Sequence, residues 1–396
     1  MAAALLLQRA GHRVTLFERF EAARPLGSGL ILQPTGLGVL DSLGLVDAIM
    51  SRGSVIERLF GCVMPSGRVV LDVRYSAMAG RWAGLAVHRA ALFDVLHDAV
   101  QAAGIAVVTS RPIGGSRIAR DKRELAAEDG EMLGAFDLVV DASGTHSKLR
   151  PRVKTKVLTY GALWANVAFD GAHGFMPNAL EQRYFRASQM AGILPTGCRA
   201  PGARTAAAFF WSIRRGDVNA WRDGGIGRWK EEVGRLWPEC LPLLEDIHSP
   251  GDLTVAHYEH FTLLRPFDER IVQIGDAAHS TSPQLGQGAN MALLDACALA
   301  QALDGAQDLN EATRRYVALR RWHVRLFQLA SAAFTPFYQS DSRLLPIVRD
   351  YVAAPLSRLP VADSLLARLV SGLTVAPLGA GVFKPFETQR LRPETP

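Results

Sequence analysis

The sequence predicts an α/β protein, with an antiparallel-sheet domain inserted into a mostly parallel α/β domain and a helical C-terminal segment. Two observations predict the parallel domain. The first 18 residues form a helix–turn–strand pattern, and residues 270–300 form a strand, a glycine-containing loop and a strong helix pattern. A third observation predicts the insertion, because residues 155–255 contain a series of β-rich stretches.

The composition is that of an ordinary globular protein. The chain has 396 residues, of which 48% are hydrophobic and 21% charged, enough for two or three domains. The net charge is +6 and the basic residues are scattered, which argues against nucleic-acid binding but leaves anionic small molecules open. No apolar stretch approaches the roughly 18 residues of a transmembrane segment. Four cysteines without metal-ligand spacing predict free thiols and a cytoplasmic protein.

The first element is a predicted helix over residues 1–10, followed by a strand over residues 13–18 that ends in Glu18. In a dinucleotide-binding βαβ unit, such a terminal acid accepts hydrogen bonds from a ribose. An ordinary buried strand with a solvated glutamate is the alternative. The preceding strand and the G-x-G-x-x-G turn of such a unit are not in the sequence, which starts inside the helix.

The middle of the chain supplies further elements. Residues 58–74 predict a hairpin, and residues 116–136 have the pattern of another. Residues 87–96 predict an amphipathic helix with Arg89 near its start, where a cation opposes the helix dipole and is either exposed or held by an anion. Residues 136–144 predict a buried strand ending in small residues, which another group can approach closely.

Residues 157–213 predict strands of an antiparallel sheet, and residues 221–237 predict a helix. This block is the candidate substrate domain. Its large aromatic residues could line a pocket, although most of them are expected to belong to the core; they are Trp164, Tyr184, Phe185, Phe209, Phe210 and Trp211.

The most informative block is residues 270–300. A short strand ends in Gly275-Asp276, a loop with glycines at 286 and 288 follows, and a helix begins near residue 289. Glycines let backbone N–H groups approach a ligand, and a helix N-terminus favours negative charge. This pattern predicts an anion site, with Asp276 placed to accept from hydroxyl groups.

This block resembles the GD motif of FAD-dependent monooxygenases of the p-hydroxybenzoate hydroxylase type (group A). The residues that carry the resemblance are GDAAH at 275–279, Pro283, GQG at 286–288, Asn290 and Asp295-Ala296. The resemblance covers residues 1–330. Glu18 matches the acid that binds the ribose, and residues 29–34 resemble the segment that runs past the flavin. Arg89 matches the arginine that contacts the FAD pyrophosphate, and residues 137–150 resemble the DG motif. Ser143 stands where that motif usually has Asp, so the choice between NADPH and NADH stays open.

The resemblance implies a Rossmann-like FAD-binding domain without its first strand. It also implies an enzyme that takes electrons from NADPH or NADH and inserts one oxygen atom from dioxygen, through a flavin hydroperoxide, into an apolar or aromatic small molecule. The implied cofactor-binding residues are Glu18, Arg19, Arg89, Ser143, Asp276, Pro283, Gly286, Gly288, Ala289 and Asn290. Residues placed near the flavin are Pro283, Gln33 and His279, of which His279 is more readily explained as structural. No general base and no metal ligand is assigned.

The expected domains are an FAD-binding domain (1–55, 84–154 and 256–330), a substrate-binding sheet domain (56–83 and 155–255) and a helical segment (331–396). The helical segment is a candidate for capping the pocket, for a homodimer contact or for resting on a membrane surface, with simple packing as the alternative. A flavin reductase or dehydrogenase on the same scaffold is the second hypothesis. The third hypothesis is that the chain is an inactive remnant. We expect instead that the start site is assigned too late, because the FAD motifs in the sequence look intact.

Overall fold

The computed structural model describes residues 1–22, 28–171, 174–378 and 383–388. The helices are α1 (Ala2–Arg9), α2 (Pro34–Ser42), α3 (Val46–Met50), α4 (Arg89–Ala102), α5 (Val218–Leu236), α6 (Gly288–Leu303), α7 (Leu309–Tyr338), α8 (Leu345–Val348), α9 (Ala354–Ser357) and α10 (Pro360–Ser371). The strands are β1 (Thr15–Phe17), β2 (Gly29–Leu32), β3 (Ser54–Ile56), β4 (Arg58–Val63), β5 (Arg68–Arg74), β6 (Gly84–His88), β7 (Ala106–Val108), β8 (Ile113–Ala119), β9 (Lys122–Ala127), β10 (Met132–Phe136), β11 (Val139–Asp141), β12 (Lys156–Val157), β13 (Tyr160–Ala168), β14 (Ala179–Phe185), β15 (Gln189–Gly197), β16 (Ala206–Arg214), β17 (Thr254–Ala256), β18 (Glu259–His260), β19 (Phe267–Asp268) and β20 (Ile271–Gln273).

Among the strands outside the seven-stranded sheet, the parallel strands form two separate pairs. β1 pairs in parallel with β7, and β11 pairs in parallel with β20, whose other edge carries β19. Within the described residues, β1 has no other strand partner and neither has β11. Helices α1, α2, α4 and α6 share one large hydrophobic core with these strands, through residues such as Leu5, Val95, Val272 and Leu294. This arrangement matches the α/β class predicted from the helix and strand periodicities.

A seven-stranded sheet forms the second layer, in the order β17-β13-β16-β15-β14-β4-β5. Its pairs are antiparallel except that β14 runs parallel to β4, so the hairpin of residues 58–74 joins the sheet of residues 160–214. Helix α5 packs on this sheet through Trp229, which lies 1% exposed against Phe209. One face of the sheet is therefore covered by α5, and the other is available to line a site.

Two elements extend beyond the bounds expected from the sequence. The region expected to be a hairpin at 116–136 forms three antiparallel strands, β8, β9 and β10, because residues 131–136 turn back onto β9. The helical segment expected from residue 331 has no boundary there, since α7 runs unbroken from Leu309 to Tyr338. Its buried side chains, including Tyr316, Phe327 and Thr335, recur at helical spacing on both sides of residue 331.

The C-terminal part of the chain contains both buried and exposed apolar residues. Leu378 and Phe386 return to the core of the parallel domain, whereas residues 344–365 carry many exposed large apolar side chains. Residues 379–382 and 389–396, which belong to the expected helical segment, lie outside the described residues. Among the helices described, none has the length and apolarity needed to cross a membrane.

Candidate active site

A cavity of about 1570 Å³ lies between the parallel α/β elements and the seven-stranded sheet. Its lining comes from three regions: the loop 275–286 with the start of α6, the open face of the seven-stranded sheet, and the space bordered by α1, β1 and β11. The cavity therefore connects the predicted anion site directly to the candidate substrate sheet. The volume of about 1570 Å³ covers more than the loop and the sheet surface, because the space bordered by α1, β1 and β11 is continuous with them.

The N-terminus of α6 faces this cavity with its backbone uncovered. Gly288 and Ala289 line the cavity, the preceding Gln287 provides no side-chain cap, and the first turn contains no acidic residue. A Cβ built on Gly288 or on Gly286 would meet no atom within 4 Å. Gly286 also has a left-handed backbone, with φ at +61°, which favours glycine. The first N–H groups of a helix have no intrahelical acceptor, so this turn offers donors and a positive dipole end to a ligand.

Asn290 fixes the loop behind that turn. Its Oδ1 accepts from the backbone N–H of Gln33 at 2.8 Å, and its Nδ2 donates to the carbonyl oxygens of Ile31 at 3.0 Å and Gly286 at 3.1 Å. The side chain is fully buried and does not line the cavity. A Cβ on Gly36 would lie 2.2 Å from Oδ1, so α2 approaches Asn290 where only glycine fits. Asn290 thus positions the loop from within the core.

Two charged side chains of opposite sign also line the cavity. Arg89 is the first residue of α4, and its guanidinium has no hydrogen-bond partner among the described residues. Asp276 likewise has no protein donor within the described part of the chain, and its side chain is exposed to the cavity although protein surrounds it. Burial raises the pKa of the Asp276 carboxyl, and the charges of His279 and Arg89 oppose that rise only in part. Both groups are free to bind a ligand.

His279 belongs to a buried charge network and does not line the cavity. Its Nε2 lies 2.6 Å from Oδ2 of Asp295, and the same oxygen accepts from the backbone N–H of Gly275 at 2.8 Å. Arg320 donates from Nε to Oδ1 of Asp295 at 2.7 Å. Burial alone would raise the pKa of Asp295, but His279 and Arg320 hold it well below its usual value. Of the three residues expected near the ring, Pro283 and Gln33 line the cavity and His279 supports the loop from behind.

The seven-stranded sheet lines its part of the cavity mainly with apolar side chains. Trp164 and Phe210 pack with ring centroids 4.9 Å apart, and Met190 and Leu194 extend the same surface. Of the six aromatic residues considered from the sequence, these two line the cavity within the described structure. Tyr258 and Gln339 are among the polar lining residues that sequence reasoning missed. Neither stands in a local motif, and only their hydrogen bonds to β13 reveal them.

A model of the FAD binding domain family matches residues 1–316, about four fifths of the chain. The chain belongs to this family. It is 29% identical over 335 residues to the 3-amino-4-hydroxybenzoate 2-monooxygenase of Streptomyces cremeus, covering 81% of this chain and 80% of that protein. It is 28% identical over 355 residues to the kynurenine 3-monooxygenase of Xanthomonas campestris pv. campestris (strain 8004), covering 80% and 72%. The tetrameric form of 2-methyl-3-hydroxypyridine-5-carboxylic acid oxygenase has the same fold, with a TM-score of 0.75, 21% identity and coverage of 93% and 92%.

The protein is thus an FAD-dependent monooxygenase of the p-hydroxybenzoate hydroxylase type, as the GD motif predicted. The residues present fit FAD, which carries a pyrophosphate, hydroxyl groups and a flat ring. Arg89 and Asp276, neither of which has a hydrogen-bond partner among the residues that the structure describes, line one cavity together with the uncapped N-terminus of α6. Open space over Gly286 and Gly288 leaves room for a ring against the backbone.

Gln33, like Pro283, lines the cavity near the expected ring position, and hydrogen bonding fixes the orientation of its side chain. Tyr75 donates from its hydroxyl to Oε1 of Gln33 at 2.6 Å, and both side chains are almost completely buried. Burial raises the pKa of Tyr75 far above its usual value, so this hydroxyl stays a donor. Gln33 therefore presents its amide nitrogen, not its oxygen, for further contacts in the FAD site.

Besides Asn290 and His279, three further sequence-predicted residues do not line the cavity in the described part of the chain. Glu18 accepts from the backbone N–H of Phe20 at 3.0 Å, and Arg19 lies over the ring of Phe20, 4.7 Å from its centroid. Ser143 donates from its hydroxyl to Oδ1 of Asp141 at 2.5 Å, so it turns towards the buried carboxylate at the end of β11. Their contacts with FAD or with a nicotinamide remain predictions.

Proposed function

We propose that this monooxygenase hydroxylates an apolar aromatic small molecule, with FAD as cofactor, dioxygen as co-substrate and NADPH or NADH as electron donor. One observation carries the proposal. A single cavity runs from the uncovered N-terminus of α6 to the Trp164–Phe210 surface, so a substrate on the sheet can lie directly against a flavin on the loop. The related enzymes named above as acting on 3-amino-4-hydroxybenzoate and kynurenine support an aromatic substrate.

The domain roles follow from this arrangement. We assign FAD binding to residues 1–55, 84–154 and 256–330, and substrate binding to residues 56–83 and 155–255. In this assignment Arg89 pairs with the pyrophosphate, because a guanidinium forms strong paired hydrogen bonds with phosphate oxygens. Asp276 accepts from hydroxyl groups of the chain between ring and pyrophosphate. Glu18 and Arg19 contact the adenosine half, and Ser143 lies near the path of the nicotinamide.

The protein's own groups prepare the site for the reaction. When bound, FAD supplies the electron transfer from the nicotinamide and the activation of dioxygen. The N–H groups of Gly288 and Ala289 are placed to stabilise negative charge on the ring, and their contribution is preorganised because α6 is held by Asn290. Pro283 and Leu285 cover the same region with apolar surface, which excludes water from the reacting atoms.

The test uses purified protein loaded with FAD and a panel of phenols, aminophenols and hydroxylated N-heterocycles. We expect one class of compound to accelerate NADPH or NADH oxidation, with one dioxygen consumed for each hydroxylated product formed. Comparing the two nicotinamides in the same assay identifies the donor. Nicotinamide oxidation that continues under anaerobic conditions with a reduced organic product would instead identify a reductase. A protein that takes up no FAD would end the proposal.

Two finer points are proposals as well. We expect a homodimer, supported by the exposed apolar side chains of residues 344–365 and by the tetrameric state stated for one protein of this fold. We also expect a cytoplasmic location, because the enzyme requires a nicotinamide donor and its four cysteines are free thiols. Light scattering of the purified protein tests the first point. Fractionation of the source cells tests the second.

A further inference from the structure

One side of α7 carries polar side chains towards the loop that precedes α6. Gln328, Ser331 and Thr335 are three and four residues apart in the sequence, so they lie on the same side of the helix. Ser331 is 1% exposed and Thr335 is 7% exposed. Buried hydroxyl groups need hydrogen-bond partners, because an unsatisfied one is unfavourable. Residues 279–282, which directly precede Pro283 in the cavity wall, supply those partners.

Gln328 holds the backbone of this segment. Its Nε2 donates to the carbonyl oxygen of His279 at 3.1 Å and to that of Ser280 at 3.4 Å. The ring of His279 is fixed separately, by Asp295. The segment is therefore held from two sides, by a carboxylate of α6 and by an amide of α7.

Four hydroxyl groups, which we call the hydroxyl cluster, continue this contact: those of Thr281, Ser282, Ser331 and Thr335. Thr335 donates from Oγ1 to the carbonyl oxygen of Ser331 at 2.6 Å, so its oxygen accepts from Oγ of Ser282, also at 2.6 Å. Oγ of Ser282 accepts in turn from Oγ of Ser331 at 2.9 Å, and Oγ of Ser331 accepts from Oγ1 of Thr281 at 2.7 Å. Each hydroxyl donates once, in a single direction. Loss of one member therefore leaves another buried hydroxyl without its partner.

His260 holds the same turn through the backbone. Its Nε2 accepts from the backbone N–H of Ser282 at 3.0 Å. Burial, followed by the charge of Lys156, lowers the pKa of His260, so the ring is neutral at neutral pH and Nε2 is free to accept. Ser282 is thus bound to β18 through its backbone and to α7 through its side chain.

The hydroxyl cluster lies between two cavities. Thr281 and Ser282 line the main cavity beside Pro283, whereas Thr335 and His260 line a neighbouring cavity of about 280 Å³. A water molecule needs several polar partners to occupy a buried position, and the protons of the cluster are already used within it. The cluster therefore forms a closed part of the wall between the neighbouring cavity and the space assigned to the flavin.

We propose that Ser331 and Thr335 are positioning residues, which hold the turn at Ser282 and Pro283 against the flavin site and keep water away from the reacting atoms. This inference rests on the proposed function, because it takes the flavin to lie beside Pro283. It gives α7 a part in the use of dioxygen. Where water reaches the reduced flavin, dioxygen takes up two electrons and two protons and leaves as hydrogen peroxide, so no oxygen atom reaches a substrate.

The test uses two variants that remove a hydroxyl, Thr335→Val and Ser331→Ala, and one that keeps it, Thr335→Ser. The matched control is Thr313→Val. Thr313 is also buried on α7, but in the described structure its hydroxyl donates only to carbonyl oxygens of its own helix, those of Leu309 at 2.9 Å and Asn310 at 3.2 Å.

The first measurement needs no cofactor. Deuterium exchange of the apoprotein is followed by mass spectrometry of peptides that cover residues 279–286. We expect the slow amides of this segment to exchange about fivefold faster in Thr335→Val, the effect of one lost neutral hydrogen bond, and faster still in Ser331→Ala. Thr335→Ser and Thr313→Val should match the wild type in this segment.

The second measurement uses the enzyme at saturating FAD. The bound flavin is reduced with dithionite without oxygen and then mixed with aerated buffer, with no substrate present, and the release of hydrogen peroxide is followed. We expect release about fivefold faster in Thr335→Val, in proportion to the opening of the turn. Thr335→Ser and Thr313→Val should release it at the rate of the wild type.

Faster exchange confined to residues 279–286, together with faster release of peroxide, supports the inference. The inference is overturned if Thr335→Val and Ser331→Ala exchange like Thr313→Val, if exchange rises equally along the whole chain, or if peroxide release is unchanged. If Ser331→Ala does not fold, the comparison of Thr335→Val with Thr335→Ser decides alone. A wild type that takes up no FAD would instead count against the proposed function itself.

Discussion

Asp295 and Arg320 form an ion pair that is enclosed by protein, with Nε and Oδ1 2.7 Å apart and exposed fractions of 0% and 3%. Arg320 also donates to the carbonyl oxygen of Pro377 at 3.0 Å. The pair therefore joins α6, α7 and the chain that returns after α10. Since Asp295 also accepts from the Gly275 N–H, the same contact fixes the turn that carries Asp276.

The first prediction concerns that pair. Arg320→Met leaves the Asp295 carboxylate buried with only part of its partners, and breaking a buried pair on one side costs about 3–5 kcal/mol. We expect the free energy of unfolding in urea to fall by about that amount. The neighbouring Arg321→Met is the control, because Arg321 is exposed and should change the stability by less than about 0.5 kcal/mol. Equal effects of the two substitutions would contradict the assigned role.

The second prediction concerns pH. His323 is fully buried, and burial followed by the charge of Arg320 lowers its pKa to about 3. The unfolded chain takes up this proton near pH 6.5. Between these values the unfolded state binds more protons, so stability is complete above about pH 6.5 and declines as the pH falls towards 3.

From pH 7 to pH 5 this single group accounts for a loss of about 2 kcal/mol. His323→Gln keeps an amide donor for the carbonyl of Gly372 but cannot titrate. Urea unfolding at both pH values should show a smaller difference for this variant than for the wild type. His12→Gln, at an exposed position, should keep the full difference. An unchanged pH difference in His323→Gln would exclude the buried histidine as its source.

The third prediction separates folding from cofactor binding at Gly288. Because no atom lies within 4 Å of a Cβ there, Gly288→Val fits the folded protein, but its side chain enters the space assigned to the flavin. We expect unfolding of the apoprotein to be little changed and FAD affinity to fall more than tenfold. Gly227→Val, at another open glycine in α5, is the matched control and should leave FAD affinity unchanged. Fluorescence titration with FAD measures the affinity of both variants, and urea unfolding of the apoproteins measures their stability.

The fourth prediction concerns Arg89. The side chain lines the cavity and makes no hydrogen bond within the described residues, so Arg89→Gln removes no structural contact. A hydrogen bond to a charged group contributes about 1.5–3 kcal/mol, which corresponds to a 10- to 100-fold weaker affinity for FAD. Arg117→Gln, which breaks only an exposed pair with Glu124, should leave that affinity unchanged. Equal FAD affinities of Arg89→Gln and the wild type would place the pyrophosphate elsewhere.

The sequence predicted those parts of the site that are formed by residues close together in the chain. The turn at 275–288 and the start of α6 follow from glycine spacing and helix periodicity, and the structure has both where predicted. The aromatic residues of the inserted sheet could not be sorted in the same way. Trp164 lines the cavity and Trp211 lies in the core although both belong to β-rich stretches, since the sorting depends on which face α5 covers.

The sequence by itself determined the α/β class, the glycine-containing loop that leads into α6 and the FAD-dependent monooxygenase family, because each depends on local spacing that constrains the backbone directly. Only the tertiary structure decided that Asp295 pairs with Arg320, that β14 runs parallel to β4, and that Gln339 donates to Gly161 beside the cavity. These contacts join residues 25 to 178 positions apart, and their partners are chosen by burial and by the need to satisfy polar groups in the folded chain.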